Sequence, residues 1–332
     1  MKKIINEPTE VVQDMIAGMV LAAPHKIKQI EGTTVLARKD TPVKNKVALI
    51  SGGGSGHEPA HAGYIGKGML DAAVLGEVFT SPSVDQVYEG IKAVDSGEGV
   101  LLIIKNYTGD VLNFEMAAEL AEAEGIQVAQ VIVNDDVAVE DSSFTTGRRG
   151  IAGTVFVHKI SGAKAEMGGT LEEVKTVAEK VVNNVRSMGM AISPCAIPAA
   201  GEPSFTLLED EMEVGIGIHG EPGIERKAIT TADEIASELV EKILNDLDIK
   251  KNEEVAVMIN GLGATPEMEL FIINKKVQEI LAEQEIKVYQ TFVGEYMTAL
   301  EMGGCSVTLL KLDEELKELL SFPSDAANFL VK

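Results

Sequence analysis

The chain of 332 residues has only two cysteines, Cys195 and Cys305, and no tryptophan. They form no CxxC pair, so neither a disulfide framework nor a cysteine zinc site can be built from them. Both read as small buried hydrophobes, and a reducing cytoplasm is the expected setting. Basic residues are also scarce: 29 Lys and Arg stand against 52 Asp and Glu, a formal charge of −23. That balance excludes nucleic acid as a partner, because phosphate binding needs clustered Lys and Arg. It argues equally against docking on an anionic membrane. No apolar run reaches the roughly 18 residues that span a bilayer. Lys2 and Lys3 are not followed directly by an apolar signal segment, and residues 15–24 have the spacing of an amphipathic helix. Internal repeats and low-complexity tracts are absent.

Hydrophobic residues make up 45% and charged residues 24% of the chain, enough for a sizeable core. The length suggests about two domains at roughly 100–200 residues each. Short apolar runs at 46–50, 72–75, 100–104 and 128–133 alternate with helical patterns. One helix is capped by Asn6 with Pro8 in its first turn, and another runs from the turn at 106–110 to about Glu124. Thr170 with Glu173 has the form of a capping box. Prolines 194, 198 and 203 mark the candidate boundary, giving domains 1–190 and 191–332. The second half repeats the style, with strands at 214–218, 255–259 and 288–293, helices at 231–244 and 268–282, and a short helical tail over 309–332. The expected architecture is two α/β domains, each with a central mixed sheet flanked by helices.

Ligands of open α/β sheets sit beyond the carboxyl ends of the strands, and three such ends are chemically unusual. Ser51-Gly52-Gly53-Gly54-Ser55-Gly56-His57-Glu58-Pro59 reads as a glycine-rich turn whose N–H groups can face a small polar ligand. It matches neither GxxxxGK[ST] nor GxGxxG in register. His57 stands beside it as an acid or base, or as a solvated histidine in a tight turn. Lys105 continues an apolar strand, a costly place for a cation without a partner. Asp110 follows it, either as a helix cap, which spacing alone favours, or as a carboxylate that accepts a hydroxyl proton. In Gly215-Ile216-Gly217-Ile218-His219-Gly220-Glu221-Pro222-Gly223 alternating glycines imply close packing. His219 there can add to a carbonyl carbon, bind a metal, or be a satisfied polar residue. His57 to His61 fit HExxH literally. Pro59 within the motif, its place at a loop exit and the want of a third ligand argue against zinc. His25 and His158 read as surface or packing residues.

GGGSGHEP at 52–59, KNYTGD at 105–110 and GIGIHGEPG at 215–223 together resemble the dihydroxyacetone kinase family. The likeness is to its dihydroxyacetone-binding subunits of the phosphotransferase-system-dependent type. EVFTSPS at 77–83, GRRG at 147–150 and NGLGAT at 260–265 extend it over essentially the whole chain. The resemblance implies that dihydroxyacetone is held between the two domains, with His219 bonded through a ring nitrogen to the ketone carbon as a hemiaminal. Gly54, Ser55, Gly56 and His57 would hold its hydroxyls, and Lys105 and Asp110 would make the remaining contacts. His57 would accept the proton, helped by Asp110, and the product would be dihydroxyacetone phosphate, in glycerol and dihydroxyacetone catabolism. The single-chain ATP-dependent members carry a further nucleotide domain that does not follow here. The expected partner is therefore an L subunit holding ADP and Mg²⁺, recharged ultimately from phosphoenolpyruvate. No cofactor or metal is expected in this chain, and a homodimer is. Two rivals stand: a dihydroxyacetone-sensing paralogue serving as a transcriptional coactivator, and a metalloenzyme using His57 and His61.

Overall fold

The computed structural model describes residues 2–139 and 147–332. Its first part runs α1 (Val11–Ala22), β1 (Ile27–Gln29), β2 (Val35–Arg38), β3 (Ala48–Ser55), β4 (Gly66–Lys67), β5 (Ala72–Val78), α2 (Val84–Val94), β6 (Val100–Lys105), α3 (Thr108–Ala123) and β7 (Val128–Val133). Six of these strands form a sheet in the order β1-β2-β5-β3-β6-β7. β5, β3, β6 and β7 are parallel, and β2 and β1 close one edge antiparallel. β3 and β6 are buried at every residue, the pattern of a parallel sheet covered on both faces.

The chain continues with α4 (Thr154–Glu166), α5 (Leu171–Asn184), β8 (Val185–Ser193), β9 (Glu211–Val214), β10 (Glu225–Ala228), α6 (Ala232–Asp246), β11 (Glu254–Gly261), α7 (Glu267–Glu283), β12 (Lys287–Gly294), β13 (Gly303–Leu312), α8 (Glu314–Ser321), β14 (Ser324–Ala326) and β15 (Leu330–Val331). The second sheet has the order β10-β9-β8-β13-β11-β12, and only β11 and β12 pair in parallel. β15 and β14 join β4, so the C-terminal strands are fastened to the first part of the chain.

The molecule is a stack of layers. α2 and α3 cover one face of the first sheet through Val87, Ile91, Phe114 and Ala117. α6 and α7 cover the outer face of the second through Leu239, Ile243, Leu270 and Val277. Between the sheets lies one continuous core that takes Ile16 of α1, Phe156 of α4, Val181 of α5 and Leu316 of α8. It meets Leu49 and Ile103 of the first sheet and Met258 and Leu310 of the second.

The mixed sheets and flanking helices agree with the expectation from sequence. Several details differ. The glycine run belongs to β3 rather than to a turn, because strand pairing with β5 continues through Ser55. The strand expected over 214–218 ends at Val214, where Gly215 turns to φ +77°. α1 begins at Val11, and Asn6 does not cap it but donates to Asp14 Oδ2 at 2.7 Å. The 190/191 boundary falls inside β8, and the core is shared across it. β13 occupies the start of the expected tail.

The Thr170–Glu173 capping box forms as read, and Thr231 with Glu234 forms a second one that closes the start of α6. Thr231→Ala is expected to remove about 1 kcal/mol of stability, the usual loss for such a cap. A denaturant midpoint unchanged from the parent would contradict that role.

Candidate active site

The first sheet's central strand β3 has β5 on one side and β6 on the other, all three parallel. Their carboxyl ends open on one crevice, as the general rule for such sheets requires. The glycines of β3 serve close packing there. A Cβ on Gly54 would stand 2.5 Å from the Thr80 backbone nitrogen, and one on Gly53 2.9 Å from Lys105 Nζ. The segment after β5 and the side chain ending β6 therefore close over a strand without side chains.

A cavity of about 590 Å³ lies at this crevice, walled by Gly54, Phe79, Ser81, Tyr107, Asp110, Phe205, His219 and Glu221 among others. It is of ordinary size for a small-molecule site. The first sheet's strand ends form one side, and the turns around Phe205 and His219 form the other.

His219 sits in a tight turn in which Gly220 N donates to the Gly217 carbonyl at 3.1 Å. Its Nδ1 lies 2.7 Å from Glu221 Oε1, and its backbone N–H donates to Oε2 of the same carboxylate at 2.9 Å. Burial pushes the Glu221 carboxyl up, but the His219 imidazole and the Arg149 guanidinium outweigh it and hold it at about 2, against an ordinary 4.5. An ionised carboxylate only accepts hydrogen bonds. His219 Nδ1–H is thus the donor to Glu221, and in the neutral ring the lone pair is on Nε2. Tyr107, Phe79 and His57 surround the ring edge-on at 4.7, 5.1 and 4.9 Å between centroids.

Arg149 fixes this turn from behind. It is fully buried, with Nε 2.8 Å from Asp136 Oδ2 and Nη2 2.8 Å from the Gly215 carbonyl.

His57 is fully buried, stacks on Phe79 at 5.0 Å, and has Nδ1 2.7 Å from the Thr298 carbonyl. A carbonyl can only accept, so Nδ1 carries the hydrogen and Nε2 is the acceptor. Nε2 has no hydrogen-bond partner among the described residues. Burial first, then Lys105 and His219, hold the imidazole well below its ordinary 6.5, so it is neutral.

Lys105 is also fully buried, and its Nζ finds no hydrogen bond among the described residues. Its nearest anionic oxygen is Asp110 Oδ2 at 3.9 Å, and it lies 5.6 Å from the centre of the Tyr107 ring. Burial lowers its pKa against the opposing pull of Asp110 and Glu221. Asp110 does not cap α3: the N-cap residue is Tyr107, with no side-chain cap bond. Its Oδ1 instead accepts from Ser81 Oγ. The carboxylate faces the cavity.

Of the residues singled out from sequence, Gly54, Asp110 and His219 wall the cavity. His57 abuts His219, and Lys105 lies beneath Gly53. Ser55 and Gly56 are turned to other tasks. Ser55 Oγ donates to the Gly76 carbonyl at 2.7 Å, and Gly56 N donates to Glu58 at 3.2 Å. His61 points away from His57, toward Ser51 at 3.3 Å and His158 at 2.9 Å. Among the described residues no three His, Cys, Asp or Glu gather to hold a metal. His25 is exposed, while His158, Cys195 and Cys305 are buried.

The chain is similar to known proteins over nearly its whole length. A model of the Dak1 domain matches residues 17–328. The chain belongs to the Dak1 family. It is 55% identical over 98% of its length to the dihydroxyacetone-binding subunit of a PTS-dependent dihydroxyacetone kinase from Listeria innocua, covering 99% of that protein. It is 42% identical to the corresponding subunit of the PEP-dependent kinase of Escherichia coli, with 97% of each chain covered. Among solved structures, the dihydroxyacetone kinase of C. freundii superposes with a TM-score of 0.92 at 40% identity. That match covers 99% of this chain but 60% of that one. The dihydroxyacetone kinase operon co-activator DhaQ superposes with a TM-score of 0.91 at 37% identity, covering 98% of this chain and 99% of that one.

The reading of the sequence missed the roles of Glu221, Arg149, Phe79, Ser81 and Tyr107. Each lies within a motif quoted for the family resemblance, so the signal was present as a string. Its use depends on turns that only the folded chain defines.

Proposed function

We propose that this chain is the substrate-holding subunit of a dihydroxyacetone kinase: His219 holds dihydroxyacetone as a hemiaminal while a phosphoryl group arrives from another protein. The observation that carries this reading is the bond from His219 Nδ1–H to Glu221, which directs the free lone pair of Nε2 to an incoming ketone. Nε2 adds to the carbonyl carbon, and the π electrons move to oxygen. The ring releases its Nδ1 proton, which Glu221 and solvent relay to that oxygen, so one N–C bond replaces one C=O π bond and the proton count is unchanged. His57 Nε2, beside the His219 ring, accepts a hydrogen bond from a hydroxyl of the adduct.

The hydroxyl to be phosphorylated loses its proton to Asp110. Asp110 lines the cavity, whereas His57 is fully buried with its Nδ1 on the Thr298 carbonyl, so His57 is suited to orienting and Asp110 to accepting the proton. Lys105, with its Nζ 3.9 Å from Asp110 Oδ2, balances the charge that Asp110 and the reacting oxygens carry. Fixing a small flexible triose by a covalent bond supplies the positioning on which phosphoryl transfer depends. Glycerol, with no carbonyl, cannot be captured in this way.

The donor is proposed to be a separate L subunit with ADP and Mg²⁺, recharged from phosphoenolpyruvate, and the working form a cytoplasmic homodimer. No helix among the described residues is long and apolar enough to cross a membrane. The likeness to the co-activator supports a second reading, a sensor that captures the triose without phosphorylating it. Intact-mass spectrometry with dihydroxyacetone, followed by transfer assays with an L subunit and a phosphoryl donor, separates the readings. An adduct with transfer supports the kinase subunit, an adduct without transfer supports the sensor, and no adduct overturns both.

Gly217 gives a test of the positioning role of Glu221. A Cβ there would lie 2.0 Å from Glu221 Oε2. Gly217→Ala is expected to displace the carboxylate and reduce adduct formation at least about tenfold, with the thermal transition largely retained. Undiminished adduct would show that Glu221 does not orient His219.

A further inference from the structure

α3 begins at the cavity, where Thr108, Gly109 and Asp110 contribute to the wall. Beyond that first turn its outward face presents Leu112, Met116 and Leu120, which are 53%, 53% and 47% exposed. They are four residues apart and so form a single row. The helix already buries Phe114, Ala117, Ala118 and Ala121 against the sheet. The row is therefore apolar surface beyond what the core uses. An exposed leucine alone needs no explanation, but a contiguous apolar strip beside a site marks an interaction surface. Glu115, Glu119 and Glu122 flank it, and α3 contains no Lys or Arg.

We propose that this row is the docking surface for the protein that brings the phosphoryl group, a nucleotide-carrying subunit presenting an apolar face edged with Lys and Arg. The proposal rests on the kinase-subunit reading above. Continuity with the site argues for that occupant. At 1.5 Å per residue Leu120 lies about 15 Å along the helix from Asp110. A standard interface of about 800 Å² per partner has about that radius. A donor centred on the cavity mouth therefore rests on this row. This chain also covers 61% of the C. freundii kinase solved with AMP-PNP and Mg²⁺, so that chain extends beyond the part matched. Three apolar residues in an acidic frame suit a brief contact, steered by charge and readily released. A donor that must leave to be recharged requires such a contact.

The experiment uses the full chain, its L subunit and a phosphoryl donor. Met116→Asp and Leu120→Asp, each checked by thermal unfolding, are compared with the parent. The L-subunit concentration for half-maximal rate should rise about tenfold or more. The rate at saturation and the dihydroxyacetone adduct should be unchanged. Glu119→Arg should weaken the same constant several-fold and flatten its salt dependence. Unchanged half-saturation in both aspartate variants overturns the docking surface while leaving the kinase reading intact. A change in the native mass of the isolated variant overturns it too, since the row would then join copies of this chain. Absence of transfer by the parent removes the kinase reading, and the docking surface with it.

Discussion

His219→Ala should show no covalent adduct with dihydroxyacetone in the intact-mass spectrum, where the parent shows one. Alanine removes the only nitrogen whose tautomer is set by Glu221, and His57 cannot replace it. The His57 ring is turned with Nδ1 on the Thr298 carbonyl and is enclosed between Phe79 and His219. Without the N–C bond the triose is free to rotate and translate in a cavity of about 590 Å³. Losing a fixed attack geometry of this kind is worth several orders of magnitude in rate, so transfer should fall by about 10³-fold or more. The substitution should leave the fold intact, because the turn is held by backbone bonds and by Arg149. An adduct of parental yield would remove the assignment of the linking nitrogen.

Asp110→Asn should retain the adduct yet lose turnover by about 10²–10⁴-fold, the usual contribution of a placed general base. Asparagine keeps the shape and can still accept the Ser81 hydroxyl, so binding geometry survives. What it cannot do is take a proton from the attacking hydroxyl. His57→Asn is the informative companion. If His57 orients and Asp110 accepts, the histidine variant should weaken capture more than the aspartate variant does and slow transfer less. The reverse pattern, with normal turnover in Asp110→Asn, would move the proton to the imidazole.

Much of this site was legible before folding, for reasons that individual residues make plain. Lys105 drew attention because a cation ending an apolar strand is expensive, and it is indeed fully buried. His219 drew attention because it sits in a glycine-rich stretch, although the strand expected through that stretch stops at Val214. The three glycines of β3 misled in the other direction. They carry no side-chain pattern, so nothing in the string separates a turn from a strand over which other segments close. Gly54 and Thr80 meet only after β5 is placed beside β3. β13 was hidden because both of its faces are covered, which erases the alternation that marks a half-buried strand. Arg149 was illegible as a support for His219, because it reaches Gly215 across 66 residues of chain.

The helices shared by the two sheets have a consequence for how substrate arrives. His57 follows β3, Lys105 ends β6 and Asp110 lies in the first turn of α3, all on the first sheet's side, and the linking imidazole hangs from the other. Both sheets rest on the same oily slab of α1, α4, α5 and α8. Two jaws bolted to one anvil cannot swing apart, so a guest enters a mould whose width is already set.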